Sequence, residues 1–309
     1  MANQFHFISG LPRSGSTLLG AVLRQNPRFD AGMTSPVGSL LGALQAHFSA
    51  GSEFGPVVEV DVRRRLLWGL FDSYYGARGG GARDGGARDG DRVVFDSNRC
   101  WCAKLPSVKD LYPGAKVIAC VRNVAWVMDS IERLYRANPF ENTKLFNDDV
   151  ERNTVYSRVE TLAQGGRLVG FAYNALKEAY YGEHADSLLL VEYELLTQAP
   201  EKVMRLIYEF LGERWFEHDF ANVAYDAPAF DQALGLAGLH RVRPVIAPEP
   251  RRSVLPPDLF EQYSKLSFWH DGRGSAAHVI RAQTSAACEL PAQRMPLQFR
   301  ERSHASNSA

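Results

Sequence analysis

The segment from Phe7 to Leu19 constrains the fold of this chain more than any other stretch. It runs Phe7-Ile8-Ser9-Gly10-Leu11-Pro12-Arg13-Ser14-Gly15-Ser16-Thr17-Leu18-Leu19. Phe5 to Ser9 is apolar enough for a short buried strand. Gly10 to Thr17 is a Gly- and Ser-rich turn, and Leu18 to Gln25 continues as a helix that Asn26-Pro27 stops. Two glycines five residues apart, between a strand and a helix, form a phosphate loop, in which backbone amides and the positive end of the helix gather an anion. Thr17 fills the Ser/Thr place of such loops, but Ser16 stands where nucleoside-triphosphate loops carry Lys. That Lys reaches the β- and γ-phosphates. Without it, kinase or triphosphatase chemistry is disfavoured while phosphate binding is retained. Ser14, Ser16 and Thr17 add hydroxyl donors, and Arg13 adds a fixed positive charge at the mouth of the loop.

The rest of the chain alternates strands and helices. Helical stretches are expected at Val37 to Phe48 and Val62 to Tyr75, and strands at Val93 to Asp96, Lys116 to Val121 and Ser187 to Val191. Val124, Val127, Met128, Ile131 and Leu134 recur at helical spacing, as do Phe171, Ala172, Ala175 and Leu176. Val203, Leu206, Ile207, Phe210 and Leu211 form one face of a helix that Gly212 can end. The continuous apolar run at Val117 to Val121 suits a strand covered on both faces. The expected fold is therefore α/β, a three-layer αβα sandwich around a mainly parallel sheet. One domain over residues 1–270 is expected. It is interrupted at 76–92 by a Gly/Ala/Arg/Asp-rich insertion with nothing to anchor it in a core, and followed by an irregular or disordered tail at 271–309.

Composition narrows the function classes. Lys plus Arg equals Asp plus Glu at 35 each, so the chain lacks the basic excess of a nucleic-acid binder. No run of about 18 apolar residues would cross a membrane. Cys100 and Cys102 are too close in sequence for a structural bridge, and Cys120 lies in an expected strand. Free thiols in a reducing compartment follow. The phosphate loop starts within ten residues of Met1, so a cytoplasmic protein without a leader is expected.

Pro12 to Thr17 resembles the 5′-phosphosulfate loop of sulfotransferases that use 3′-phosphoadenosine-5′-phosphosulfate (PAPS). The Pro-Arg-Ser-Gly form is most similar to the protein-tyrosine and carbohydrate branches, and bacterial relatives of the tyrosylprotein sulfotransferases give the best overall likeness. A second anion site is required for the 3′-phosphate. The family uses an Arg at a strand end and a Ser eight residues later, the spacing of Arg122 and Ser130. The resemblance covers roughly residues 5 to 265. It implies a P-loop-like sulfotransferase fold with donor contacts from Pro12, Arg13, Ser14, Gly15, Ser16, Thr17, Arg122, Ser130, Tyr193 and Arg243. Tyr193 matches a strand-Tyr-Glu segment and Arg243 a basic segment that closes over the donor. PAPS is then the donor and 3′-phosphoadenosine-5′-phosphate (PAP) the product, with no metal required.

For catalysis, Arg13 can serve the leaving phosphate. The tyrosylprotein enzymes carry a Glu soon after the first helix, but Gly32-Met33-Thr34-Ser35-Pro36 holds no carboxylate. Asp96, at an expected strand end, is the first candidate for the general base, and its alternative role is to cap the turn after Asn98. Arg99 would supply a second sulfonate-binding cation, and His240 is the runner-up base. The acceptor implied is a tyrosine hydroxyl of a peptide or protein, with Arg241, Arg243, Arg251 and Arg252 as a basic rim. A small-molecule or carbohydrate hydroxyl is the alternative acceptor. A P-loop kinase and a non-catalytic nucleotide-binding module are the rival classes. A homodimer is compatible with the sequence, and no nucleic acid or membrane partner is expected.

Overall fold

The computed structural model describes residues 4–49, 51–76, 92–138, 140, 143–283 and 298–300. In chain order the elements are β1 (Gln4–Gly10), α1 (Ser16–Leu23), β2 (Phe29–Thr34), α2 (Val37–His47), α3 (Val60–Gly76), β3 (Val93–Ser97) and α4 (Leu105–Leu111). Next come β4 (Val117–Val121), α5 (Val124–Ala137), α6 (Asp149–Arg152), α7 (Val155–Ala163), α8 (Leu168–Tyr181), β5 (Leu188–Glu192), α9 (Tyr193–Gln198) and α10 (Pro200–Leu211). The chain continues through α11 (Pro228–Ala233), α12 (Pro257–Ser264), β6 (His278–Val279), β7 (Arg281–Gln283) and β8 (Gln298–Arg300). Residues 77–91, most of the expected insertion, lie outside the described residues, as do 284–297 and 301–309.

Six strands form one sheet in the order β2-β3-β1-β4-β5-β6, and every pairing is parallel. Alternate side chains face opposite layers, as the two-residue period of a strand requires. Phe7, Val94, Val117, Ala119 and Leu190 enter one core with residues of α3, α4, α5, α7 and α8. Ile8, Phe95, Ile118, Cys120 and Val191 enter the other core, with α1 and α10. This is the three-layer αβα arrangement expected from the alternating pattern. Local signals set the helix ends. Asn123 caps α5 by accepting from the amide of Ala125, Pro200 opens α10, and Gly212 closes it at φ +77°.

Two strands of the six-stranded sheet lie outside the sequence expectation. β2 is an edge strand whose Asp30, Gly32 and Thr34 break the apolar run that marks its neighbours. β6 lies beyond residue 270 and pairs with β5 through Leu189 and Leu190. The chain leaves β1 toward β3 and β2 and later adds β4 on its other side. The crevice at the carboxyl ends of β1 and β4 is thus the topological switch point, where open α/β sheets bind ligands. No described helix is long and apolar enough to cross a membrane.

Candidate functional site

The loop between β1 and α1 is held in a conformation that few residue types can adopt. Gly10 has φ +104°, and a Cβ there would stand 2.1 Å from the carbonyl oxygen of Cys120. Only glycine lets the end of β1 lie this close to β4. Gly15 has φ +93°, and a Cβ there would stand 2.8 Å from Cδ2 of Tyr193. Arg13, at φ +60°, is the one non-glycine residue with positive φ among the described residues. Gly15 occupies the N-cap of α1 without a side-chain cap, and the first turn carries no acidic residue. The first amides of α1 therefore have no side-chain acceptor, and the positive end of the helix is uncompensated.

Three arginines from distant parts of the chain meet beside this loop. Arg13 donates from Nε to Ser130 Oγ at 3.1 Å and from Nη1 to the carbonyl oxygen of Leu239. Burial pulls its guanidinium down to about 10, and the nearby cations Arg122 and Arg251 push the same way. Arg122 follows β4, donates from Nε to Glu194 Oε1 at 2.8 Å, and lies 4.2 Å from the centroid of the Tyr193 ring. Arg251 comes within 2.9 Å of Asp129 Oδ2. That distance suits an ion pair, but the groups are not aligned for a hydrogen bond, and Nε and Nη2 of Arg251 are buried without a hydrogen-bond partner. A guanidinium left in this state can take up an anion.

These groups line one cavity of about 430 Å³. Of the expected donor contacts, Pro12, Arg13, Gly15, Ser16, Thr17, Arg122, Ser130 and Tyr193 lie on its wall, and Arg243 also lines it. The phosphate loop and the Arg122–Ser130 pair therefore face the same space. Ser14 does not line it. It is buried beneath the loop, where its hydroxyl donates to Pro12 O at 3.4 Å. Arg243 sits at the edge with 73% of its side chain exposed and donates to Glu249 Oε1 at 2.9 Å. Arg251 is the inward-facing cation of that segment instead. The sequence showed it only as part of a basic rim, because nothing local marks which of several arginines turns inward.

The structure also removes Asp96 from the chemistry. Its side chain is fully buried and absent from the cavity wall. Oδ2 accepts from the hydroxyls of Ser35 and Tyr75, each at 2.6 Å, and Oδ1 accepts from Trp101 Nε1 at 2.8 Å. A carboxylate spent on three internal donors is a structural hub that ties β3 to α3 and to the start of α2. It does not cap the following turn either. Asn98 does that, accepting from the amide of Cys100. Arg99 does line the cavity, and burial lowers its pKa although its side chain reaches solvent there.

His240 also lines the cavity. Its Nδ1 lies 2.5 Å from Asp231 Oδ1, and its amide donates to Asp231 Oδ2 at 2.9 Å. Asp231 is fully buried at the centre of α11. A carboxylate on Nδ1 holds the proton there and leaves Nε2 as the basic nitrogen. Asp231 was not foreseen, since an Asp nine residues before a His carries no recognisable spacing. Among the described residues, no three His, Cys, Asp or Glu side chains converge as a metal site requires.

Residues 81–217 match the model of a sulfotransferase family. The matched stretch contains Arg122, Ser130 and Tyr193, while the phosphate loop precedes it. No curated protein matches the chain. The sulfotransferase domain from the curacin biosynthetic pathway aligns over 87% of this chain and 92% of its own, at 14% identity and a TM-score of 0.50, so the two share a fold. The sulfotransferase domain from the Synechococcus PCC 7002 olefin synthase aligns over 86% and 95% at 19% identity, with a TM-score of 0.46. A sulfotransferase from Alicyclobacillus acidocaldarius aligns over 76% and 90% at 17% identity, with a TM-score of 0.45.

Proposed function

We propose that this protein transfers a sulfonate group from PAPS to an acceptor hydroxyl. One observation carries the reading: the arginine of the phosphate loop, Arg13, bonds directly to Ser130 of the second anion site. The phosphate loop and the second anion site therefore border one cavity, and a ligand there can meet anion donors from both. PAPS carries a phosphosulfate on one side of its ribose and a 3′-phosphate on the other. On this reading the loop amides, Ser16 and Thr17 hold the 5′-phosphosulfate, and Arg122, Ser130 and Arg251 hold the 3′-phosphate. The family match to residues 81–217 supports the same activity.

The acceptor oxygen attacks sulfur as the bond from sulfur to the bridging phosphate oxygen breaks. The acceptor proton passes to Nε2 of His240, whose imidazolium Asp231 stabilises. Arg13 and the loop amides take up the charge that develops on the departing PAP.

The acceptor we propose is a hydroxyl on an apolar or aromatic body, which includes the phenol of tyrosine. Ile131, Leu134, Leu145 and Leu168 form an apolar part of the wall. A small-molecule hydroxyl has a specific observation in its favour. Two of the four arginines of the expected basic rim are engaged elsewhere, Arg243 on Glu249 and Arg251 against Asp129, which weakens the hold on an acidic peptide. The test is ³⁵S transfer from labelled PAPS, without added Mg²⁺, to a panel of tyrosine peptides and small phenols and alcohols. Labelled product with release of PAP is expected. Label transfer from ATP instead, dependent on Mg²⁺, would overturn the reading.

A further inference from the structure

We infer that Asp129 is a positioning residue that sets the Arg251 guanidinium for recognition of the donor's 3′-phosphate, an inference that rests on the donor reading above. Asp129 precedes Ser130 on α5, and its side chain has no solvent exposure. Its carboxylate gathers one segment of the chain. Oδ1 accepts from the amide of Val254 at 2.7 Å, and Oδ2 accepts from Arg133 Nε at 3.0 Å while lying 2.9 Å from Arg251 Nη2. The strap at residues 251–254 is thus anchored at both ends of a short turn to the residue next to Ser130.

The cavity explains why a buried carboxylate would be placed there. Arg251 lines the cavity and Asp129 does not. The negative charge therefore lies off the cavity wall to which Arg251 contributes. Arg251 also lies 5.4 Å from the ring centroid of Trp126, one turn back on the same helix. Without Asp129, Arg251 would face the repulsion of Arg122 and Arg133 with only the weaker attraction of Glu249 to offset it. The guanidinium would then leave for water, where its desolvation cost vanishes. Asp129 itself makes no contact with the ligand space, so its effect on binding passes through Arg251.

The experiment compares PAP with AMP, which lacks only the 3′-phosphate, by titration calorimetry. The wild-type protein is expected to prefer PAP by tenfold or more. Asp129→Asn keeps the shape of the side chain and an acceptor for Val254. It is expected to weaken PAP by about tenfold, the scale of one charge-assisted hydrogen bond, and to change AMP affinity by less than about twofold. Asp129→Glu keeps the charge but moves it by one methylene, and should lose preference in the same direction; it decides the matter if the Asn variant does not fold. Equal losses for PAP and AMP would make Asp129 merely structural and overturn the inference, as would full preference in both variants. A wild-type protein without preference would instead overturn the donor reading itself.

Discussion

Replacing Asp96 separates a structural carboxylate from a catalytic one. In Asp96→Ala the hydroxyls of Ser35 and Tyr75 and the indole N–H of Trp101 lose their acceptor inside the core. A buried donor left unpaired costs about 1–3 kcal/mol. The two hydroxyls can turn toward each other or toward a water that enters the gap, whereas the indole can only donate. The expected loss is therefore about 4–6 kcal/mol, short of the full sum for three donors. Against a total stability of about 5–15 kcal/mol, the variant stands at the edge of folding. Asp96→Asn is gentler. Its oxygen can accept from Trp101 while its amide donates to the two hydroxyls, which reverse to accept. The cost expected is about 1–3 kcal/mol, for exchanging charged hydrogen bonds for neutral ones. Urea unfolding measures both losses, and turnover per folded molecule should stay within about twofold for Asp96→Asn. An Asn variant of unchanged stability whose turnover falls about 10²-fold would refute the reasoning and restore Asp96 as the base.

His240→Asn and Asp231→Asn should each lower kcat by about 10²-fold or more while PAP affinity holds, and a fully active His240→Asn variant would remove the base. Arg122→Ala should weaken PAP by about 10- to 100-fold, the scale of a charged hydrogen bond. Arg243→Ala should change PAP affinity by less than about twofold in the same calorimetric titration, because that side chain is exposed and held by Glu249. Gly15→Ala forces a side chain into φ +93° and against Tyr193. It should cost about 1–2 kcal/mol in backbone strain and abolish detectable PAP binding, and retained affinity would show that the loop yields. Burial, with Lys116 and Lys109 nearby, pulls His6 from 6.5 down to about 4. Between those values the unfolded chain takes up a proton that folded His6 refuses, so stability is present above pH 6.5 and falls as pH drops toward 4. The loss expected is about 3 kcal/mol, measured by urea unfolding at both ends of the window and absent in His6→Gln.

What the sequence disclosed followed the range over which each signal acts. The β1–α1 loop was legible because Gly10, Gly15 and Thr17 lie within a few residues, and the strains that require glycine are local. The sheet was legible where strands are buried on both faces, as in β4, and was missed at β2, whose mixed composition suits an edge. The Arg122–Ser130 pair could be read because one helix connects the two residues at a fixed spacing. Asp96 misled because polarity at a strand end does not show whether it faces the cleft or the core. Its partners Tyr75 and Trp101 come from a preceding helix and a following turn. Asp231 and Asp129 were missed for the converse reason: each acts on a residue that tertiary structure alone brings near.

The even count of 35 acidic and 35 basic residues conceals a strong local segregation. The cavity wall includes Arg13, Arg99, Arg122, Lys144, Arg241, Arg243 and Arg251, while its one carboxylate among the described residues, Glu249, is bound to Arg243. Glu194, Asp129 and Asp231 lie close to these cations but off the wall. A carboxylate behind an arginine orients it and offsets part of its desolvation cost, yet does not compete with a ligand for the forward donors. Carboxylates placed in front would neutralise the site, and carboxylates omitted would let the arginines swing outward into water. The observed placement keeps a group of mutually repelling cations fixed on one space, and a ligand with two separated anionic groups relieves that repulsion at both ends. A nucleotide with phosphates on a single side of its ribose would relieve only one. On the proposed donor reading, the second phosphate is the group that Arg122, Ser130 and Arg251 would serve.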